Sequence, residues 1–209
     1  MEHKKIRVAV LGGSFDPPTL AHIQIAEFCI AVYDEVWVVP CGTRTDKQHR
    51  SSAENRLEMT RLAFEPLCKE QPGVRINDVE IRHGSMIMSY FLMEQFKKEH
   101  PEREFFFVLG SDLLPDLRKW EYGPELVENC AFCVLQRKGY PCDESLFPKN
   151  CEFWPEFEGR ELSSTQIRNY VEQETNQGVG VSSLSLAEMT TGEVSQYIVG
   201  GDLYQNRTA

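Results

Sequence analysis

The sequence predicts an α/β protein, a doubly wound parallel sheet with helices on both faces. Two features of its 209 residues lead to this prediction. Apolar runs of strand length alternate with longer stretches in which apolar residues recur at helical spacing. Most of the short runs are also apolar throughout rather than at every second residue, which is typical of parallel strands that are buried on both sides.

The predicted strands are rich in valine, isoleucine and phenylalanine. The first ends at two glycines, the second at a proline and the fourth at another glycine, as strand ends often do. The third alternates apolar and polar side chains, and the last is short. The predicted strands lie at residues 6–11, 35–40, 74–81, 104–109, 132–136 and 151–154.

The predicted helices lie between these strands and after them. Their signals are hydroxyl residues at the start and apolar residues one turn apart. They are predicted at residues 20–32, 53–64, 86–98, 125–129, 164–174 and 193–199. Residues 176–185 are rich in glycine and serine, and we expect a mobile insertion there. We treat residues 1–209 as one domain whose C-terminal part, from about residue 160, is helical.

Composition and charge exclude several classes of protein. The 32 acidic and 22 basic residues leave a formal net charge of −10, which argues against a protein that coats nucleic acid. No apolar run approaches the roughly 18 residues of a membrane span, and the N-terminus lacks the apolar stretch of a secretory signal. We therefore expect an intracellular protein, cytoplasmic or nuclear, with neither nucleic acid nor membrane as partner. The oligomeric state is open, a homo-oligomer included.

Seven cysteines are scattered along the chain, and we predict reduced thiols that pack as small apolar side chains. The alternative is a zinc site built from Cys130, Cys133, Cys142 and Cys151. It is the weaker interpretation, because the second pair lacks the close spacing of zinc ligands and the first pair leads straight into a strand. We assign no metal ligand.

The loop after the first strand carries the strongest chemical signal, because residues 12–22 read Gly-Gly-Ser-Phe-Asp-Pro-Pro-Thr-Leu-Ala-His. Adjacent glycines allow the backbone to approach a ligand and to direct amide N–H groups at an anion. Thr19 and His22 lie three residues apart at a helix start, so both can face one point beside the positive helix terminus. The pattern predicts a phosphate site; the simpler alternative is a strand–turn–helix corner with a capping threonine.

A second anion site is predicted at residues 162–168, which read Leu-Ser-Ser-Thr-Gln-Ile-Arg. Three hydroxyl side chains stand at a helix start, and Arg168 follows one turn later. By itself this motif is better explained as a helix cap with a surface arginine, but two such motifs in one α/β chain favour a polyphosphate ligand. Open parallel sheets bind ligands at the carboxyl ends of their strands, so residues 12–22, 39–49 and 110–120 should surround one crevice.

With these two motifs the chain resembles the nucleotidyltransferases that carry a His-x-Gly-His signature, and most of all the nicotinate/nicotinamide mononucleotide adenylyltransferases. Weaker marks of that family are Gly-Ser-Asp at 110–112, Trp120, Arg137 and Tyr204, so the resemblance extends over roughly residues 6–205. It implies a Rossmann-like fold and an enzyme of NAD biosynthesis. The implied reaction transfers AMP from ATP, accompanied by Mg²⁺, to a pyridine mononucleotide, and it yields NAD or its nicotinate analogue and pyrophosphate.

The resemblance also implies the residues of the site. Catalysis is assigned to His22, Thr19 and Arg168. ATP is assigned to Gly13, Ser14, Phe15, His22, Gly110, Asp112, Ser164, Thr165 and Arg168. The mononucleotide is assigned to Ser14, Phe15, Arg44, Lys47, Trp120 and Arg137.

In these implied roles His22 donates a hydrogen bond to the α-phosphate and Thr19 holds a phosphate oxygen. Asp112 bonds a ribose hydroxyl, Trp120 stacks on the pyridine ring, and Lys47 with Arg44 reaches the mononucleotide phosphate. That phosphate attacks the α-phosphorus directly, so no covalent intermediate with the enzyme is expected.

Two departures from the family pattern leave part of the function open. Thr19 stands where the signature has its first histidine and Ala21 where it has glycine. Residues 84–90 differ from the Ser-Tyr-Thr pattern that helps hold the pyridine substituent in bacterial relatives, so the choice between nicotinate and nicotinamide stays open. The other candidate functions are a different adenylyl- or cytidylyltransferase, such as one acting on phosphopantetheine, and a nucleotide-binding protein without catalysis. His49 has no evident partner and is expected at the surface.

Overall fold

The computed structural model describes residues 4–43, 49–140 and 142–205. Its strands are β1 (Ile6–Gly13), β2 (Glu35–Pro40), β3 (Val74–Ile76), β4 (Arg103–Gly110), β5 (Ala131–Leu135) and β6 (Asn150–Trp154). Within the described ranges they form one sheet in the order β3-β2-β1-β4-β5-β6, and each neighbouring pair is parallel. This order confirms the predicted doubly wound sheet and is that of a Rossmann-like fold.

Helices cover both faces of this sheet. They are α1 (Leu20–Val32), α2 (Ala53–Glu70), α3 (Val79–His83), α4 (Ser89–Glu99), α5 (Leu114–Leu117), α6 (Gly123–Asn129), α7 (Ser164–Asn176), α8 (Ser183–Leu186) and α9 (Gly192–Gly200). Residues of α1, α2, α7, α8 and α9 pack on one face, and residues of α4, α5 and α6 pack on the other. None of the helices in the described ranges combines the length and the apolarity that crossing a membrane requires.

Alternate residues of each strand enter different cores. In β1, Ala9 and Leu11 pack in a first core with α1 and α2, whereas Val8 and Val10 pack in a second core with α4 and α6. These four side chains are at most 5% exposed. Burial on both faces explains why the strand sequences are apolar without alternation.

The C-terminal helices share the first core with the sheet. Ile167 of α7 and both Val194 and Ile198 of α9 are fully buried there. The glycine- and serine-rich segment 176–185 is not wholly a loop, because α8 begins within it at Ser183 and buries Leu186 completely in the same core. Packing of these helices against the first core brings the second phosphate motif to the sheet.

The sequence predicts one strand over residues 74–81, and this prediction is wrong. β3 ends at Ile76 and α3 begins at Val79, because the side-chain oxygen of Asn77 accepts a hydrogen bond from the Val79 amide at 3.1 Å and turns the chain. Apolar and polar residues alternate on each side of this turn, at Val74 and Ile76 and again at Val79 and Ile81, which makes the run look like a longer strand. Helix α4 also begins later than predicted, at Ser89.

Cys130 and Cys133 lie on opposite faces of the sheet. The Cys133 thiol is buried in the first core and shares a hydrogen bond with Cys29, whereas Cys130 is buried in the second core, where the Lys97 ammonium donates to its sulfur at 3.7 Å. The two sulfurs therefore do not converge on one ion, which argues against the zinc alternative. Both residues are free thiols.

Candidate active site

The crevice lies where the strand order reverses. β1 and β4 are neighbours in the sheet, and the chain leaves them towards opposite sides, so their carboxyl ends open a gap. A cavity of about 580 Å³ occupies this gap. Its lining includes Gly12 at the end of β1, Gly110 at the end of β4 and His22 in the first turn of α1. Arg137, which follows β5, and Ser163, at the start of α7, also line it.

The loop after β1 is built around the ring of Phe15. Phe15 has a backbone φ of 46°, in the left-handed region, and its side chain is only 1% exposed. A Cβ atom added to Gly13 would lie 3.0 Å from this ring, so a glycine is needed beside it. The ring packs edge-on against His22 and Phe64, with centroids 5.2 and 5.8 Å away. The side chain of Phe15 is thus part of the core and is not available to a ligand.

The Thr19 side chain orients His22 instead of facing the crevice. Thr19 precedes the first residue of α1 and is fully buried. Its backbone N–H donates to Nδ1 of His22 at 2.9 Å, and its hydroxyl oxygen lies 2.8 Å from the same nitrogen. The implied role of Thr19 as a phosphate ligand therefore needs correction, because its hydroxyl is used inside the protein. Since Nδ1 accepts, the ring proton is assigned to Nε2.

His22 is a neutral hydrogen-bond donor in the free protein. Burial, and to a smaller extent the positive charge of Arg137, lower its pKa from 6.5 to about 4. A neutral ring with its proton on Nε2 can donate to a phosphate oxygen without carrying a charge of its own. A bound polyphosphate would raise this pKa, because an adjacent anion favours the imidazolium.

We expect the His22 ring of the ligand-free protein to stay neutral as the pH falls from 8 to 5. Its folded-state pKa of about 4 lies below the 6.5 of an unperturbed histidine, so the unfolded chain binds more protons between these values. The contribution to stability is therefore complete above pH 6.5 and is lost as the pH falls towards 4. Long-range ¹H–¹⁵N NMR of the imidazole reports both tautomer and charge; a midpoint near 6.5, or a proton on Nδ1, would contradict the assignment.

The second predicted phosphate motif docks directly on the first. The Ser164 hydroxyl donates to the Pro17 carbonyl at 2.7 Å. Nη1 of Arg168 donates to the Asp16 carbonyl at 2.7 Å, and Nη2 donates to the Thr165 hydroxyl at 2.9 Å. The start of α7 is thereby held against the loop that carries His22, as a site for a polyphosphate requires.

A carboxylate oxygen without a partner lies at the end of β4. Oδ2 of Asp112 is 3.3 Å from Nη1 of Arg137, but its buried Oδ1 has no hydrogen-bond partner among the described residues. A Cβ atom on Gly110 would lie 2.4 Å from this Oδ1, so the glycine makes room for the carboxylate. Buried polar atoms are nearly always hydrogen-bonded, and an unpaired one costs free energy. A ligand donor would satisfy Oδ1.

The crevice is locally basic in an acidic protein. In the described part of the chain, three cationic residues line the cavity, Arg137, Lys138 and Arg160, against one acidic residue, Glu161, which pairs with Lys138 at 3.4 Å, although the chain as a whole has a formal charge of −10. Positive charge on the walls of a cleft raises the local concentration of an anionic ligand. Arg137 is among the residues that the resemblance implies, whereas Lys138 and Arg160 were not predicted; Lys138 is adjacent to Arg137, and the sequence around Arg160 contains no such signal.

Trp120 lies on the other face of the sheet from the cavity. It is partly buried against the second core, with its ring edge-on to Phe107 at a centroid distance of 6.4 Å, and it is not a lining residue of the cavity. The structure does not bring Trp120 together with the ATP residues. Arg44 and Lys47, assigned to the mononucleotide phosphate, lie outside the described residues.

His49 is not the partnerless surface residue that the sequence suggests. Its Nε2 lies 3.2 Å from the Ser14 hydroxyl and 3.6 Å from the Cys41 sulfur. This contact joins the loop after β1 to the residues that follow β2, which are neighbours because the two strands pair. The spacing of these residues along the sequence does not predict this contact.

Arg56 of α2 was also missed, although it is fully buried. Its Nη1 donates to the carbonyls of Ser14 at 3.0 Å and Cys41 at 2.6 Å, and its Nη2 donates to the Gly42 carbonyl at 3.1 Å. A Cβ atom on Gly42 would collide with the Ser85 carbonyl at 2.4 Å. Arg56 therefore ties the loops after β1 and β2 together from inside the protein.

These features define an α/β enzyme that binds a nucleotide at the switch point of a parallel sheet and acts on its phosphates. The cytidylyltransferase-like family model matches residues 10–170. A probable nicotinate-nucleotide adenylyltransferase of Oceanobacillus iheyensis is 32% identical over 164 residues, which cover 77% of this chain and 82% of that protein. One of Clostridium botulinum is 30% identical over 181 residues, 80% and 88% of the two chains.

A solved structure agrees over nearly the whole chain. The Plasmodium falciparum nicotinic acid mononucleotide adenylyltransferase complexed with NaAD superposes with a TM-score of 0.77 and 28% identity, covering 97% of this chain and 98% of that one. The chain belongs to the cytidylyltransferase-like family and, within it, to the nicotinate-nucleotide adenylyltransferases of NAD biosynthesis. The expected family and the expected enzymatic class are thereby confirmed, whereas the phosphopantetheine and non-catalytic alternatives find no support.

Proposed function

We propose that this enzyme transfers AMP from ATP to nicotinate mononucleotide and forms nicotinate adenine dinucleotide and pyrophosphate. The observation that carries the proposal is that His22, Ser163 of the α7 motif and Gly110 border one cavity, with the unpartnered oxygen of Asp112 directly against Gly110. The names of the relatives favour nicotinate. Nicotinamide mononucleotide is the second candidate, because residues 84–90 depart from the bacterial pattern.

In this proposal ATP lies in the cavity beside the end of β4. A ribose hydroxyl donates to Oδ1 of Asp112, which supplies the missing hydrogen bond. The β- and γ-phosphates lie at the start of α7, where the Thr165 hydroxyl and the remaining N–H groups of Arg168 are donors beside the positive helix terminus, whereas the Ser164 hydroxyl already donates to the Pro17 carbonyl. The α-phosphate then lies next to His22, because α7 is docked on the loop that leads to it.

The chemical step is a single displacement at the α-phosphorus. An oxygen of the mononucleotide phosphate forms the new bond while the bond to the oxygen that bridges the α- and β-phosphates breaks, and pyrophosphate leaves with that electron pair. Negative charge spreads over the α-phosphate oxygens in the transition state. The Nε2–H of His22 stabilises this negative charge. A hydrogen-bond donor that is oriented before the reaction stabilises the transition state most, because the charge develops there. Thr19 holds the other ring nitrogen and keeps this donor oriented.

Mg²⁺ fits this site as a partner of ATP rather than as a protein-bound ion. No group of three or more His, Cys, Asp or Glu suited to a metal ion occurs among the residues that the structure describes, and the side chains proposed for the phosphates are donors. The phosphate oxygens and water would hold the ion, which would neutralise part of the triphosphate charge.

The acceptor is proposed to approach from the other face of the sheet. Trp120 would stack on its pyridine ring there, and Lys47 with Arg44 would bind its phosphate. Gly12 and Gly13, the last residues of β1, would separate this face from the ATP cavity. Because they have no side chains, they would let the two phosphates meet. The expectations that the protein is intracellular and that it binds no nucleic acid stay predictions, and the oligomeric state stays open, a homo-oligomer included.

Asp112→Asn is expected to raise KM for ATP by about 10- to 100-fold, because the neutral amide replaces a charged acceptor of the ribose hydroxyl. The matched control is Asp116→Asn, which removes an exposed carboxylate paired with Lys119 in the same segment and should leave KM unchanged. Steady-state kinetics with varied ATP measure both constants. Equal KM values for the two variants would exclude Asp112 from ATP binding.

A paired assay tests the function itself. Purified protein with Mg²⁺–ATP receives either nicotinate or nicotinamide mononucleotide, and dinucleotide and pyrophosphate are followed together. Faster turnover of nicotinate mononucleotide is expected. A clear preference for nicotinamide mononucleotide would move the assignment to the second candidate, and absence of product from both acceptors would refute the adenylyltransferase proposal.

A further inference from the structure

We infer that Tyr204 is a positioning residue for adenylyl transfer: its hydroxyl fixes Asp16, and Asp16 fixes the α7 phosphate site relative to His22. The inference rests on the proposed function and adds a residue to which no role has been given. It follows from contacts that join the last described residues of the chain to the loop after β1.

Asp16 is the point where three segments meet. Its side chain is only 4% exposed. Oδ1 accepts hydrogen bonds from the hydroxyls of Ser51 at 2.6 Å and Tyr204 at 2.8 Å, and Oδ2 accepts one from the Arg50 amide at 2.8 Å. A buried carboxylate held by several donors has little freedom to move, because each lost bond costs free energy.

Tyr204 reaches Asp16 from the opposite end of the chain. Beyond α9 the chain turns back, with the Leu203 amide donating to the Ile198 carbonyl at 3.0 Å. Tyr204 itself has a φ of 65° and is only 6% exposed. Burial, together with the nearby Asp16 charge, raises the pKa of its phenol, so the hydroxyl keeps its proton and donates it to the carboxylate.

The backbone of the same loop holds the second phosphate site. The Asp16 carbonyl accepts from Arg168, the Pro17 carbonyl accepts from Ser164, and the Pro18 carbonyl accepts from Thr190 at 2.8 Å. His22 lies four positions after Pro18, in the first turn of α1. A shift of Asp16 therefore moves Arg168 and Ser164 relative to the imidazole. Small displacements of this kind are costly, since catalysis depends on near-ångström alignment.

The test compares Tyr204→Phe with Tyr197→Phe. Tyr197 is the matched control, because it lies on α9 and its hydroxyl donates to Asn55 of α2 at 2.9 Å without touching the loop after β1. Each variant loses one tyrosine hydroxyl and its hydrogen bond, but only the hydroxyl of Tyr204 reaches the loop after β1. Well below both unfolding temperatures, Tyr204→Phe is expected to lower kcat by about 10-fold, whereas Tyr197→Phe keeps the wild-type value.

A second readout separates positioning from a general loss of structure. Arg168→Ala is made in the wild-type and in the Tyr204→Phe background, and its cost in kcat should be smaller in the second, where Arg168 is already displaced. If Tyr204→Phe does not fold, Ser51→Ala removes another donor to the same Asp16 oxygen and should lower kcat in the same way.

Equal kcat values for Tyr204→Phe and Tyr197→Phe would overturn the inference, as would an equal cost of Arg168→Ala in both backgrounds. Wild-type activity on a pyridine mononucleotide is measured first. Its absence would refute the proposed function, whereas equal kcat values for two active tyrosine variants would refute the positioning role alone, so the two failures are distinguishable.

Discussion

Replacement of His22 by alanine is expected to lower kcat by about 100- to 1000-fold and to change KM for ATP only a few-fold. The reason is that the Nε2–H of a neutral imidazole is proposed to contact the α-phosphate where charge develops in the transition state, and removal of one such donor costs this much in other enzymes. The measurement is steady-state kinetics at pH 7.5, with circular dichroism to verify the fold.

Two further variants make the His22 result specific. Thr19→Val removes the hydroxyl but keeps the backbone N–H that holds Nδ1, so its cost should be smaller, about 10-fold. His100→Ala is the control, because His100 lies before β4 at the amino edge of the sheet and packs on Trp37. A His22→Ala variant with kcat within a factor of three of wild type would mean that the imidazole does not act on the reacting phosphate.

The second large effect is expected in stability. Arg56→Met should lower the free energy of unfolding by about 3 kcal/mol or more, because it leaves the buried carbonyls of Ser14, Cys41 and Gly42 without their donor. Methionine fills much of the space of the arginine stem, so the loss reports hydrogen bonds more than volume. Urea unfolding at neutral pH measures the change.

Arg61→Met supplies the control on the same helix. Arg61 is half-exposed and lies 3.7 Å from Glu58, a surface pair that is worth well under about 1 kcal/mol. A change for Arg56→Met as small as that for Arg61→Met would show that the carbonyls find other partners. Because the same carbonyls belong to the loops after β1 and β2, the Arg56 variant should also lose activity at temperatures where it is still folded.

The fold and both phosphate motifs could be predicted because their signals are local. Apolar runs without alternation follow from burial on both faces, and the contacts of Val8, Ala9, Val10 and Leu11 bear this out. Arg168 and Thr165 lie one turn apart at a helix start, so backbone geometry alone brings them together.

Arg56 and His49 could not be predicted, because their partners are distant in sequence. Arg56 binds the carbonyl of Ser14, 42 positions away, and His49 lies against the Ser14 hydroxyl, 35 positions away. Both contacts exist because β1 and β2 pair in parallel and place their loops side by side. An arginine in an amphipathic helix is also rarely fully buried, so its ordinary interpretation is a surface residue.

The sequence by itself determined the order of the predicted strands and helices, the edge of the sheet where the crevice opens and the residue types at that edge. These depend on periodicity and on backbone geometry over a few residues. Only the tertiary structure decided that Thr19 faces His22 instead of a phosphate, that His22 is neutral, and that Asp112 keeps one oxygen without a partner among the described residues. Burial and hydrogen-bond partners depend on which distant segments pack together, and local sequence patterns do not contain that information.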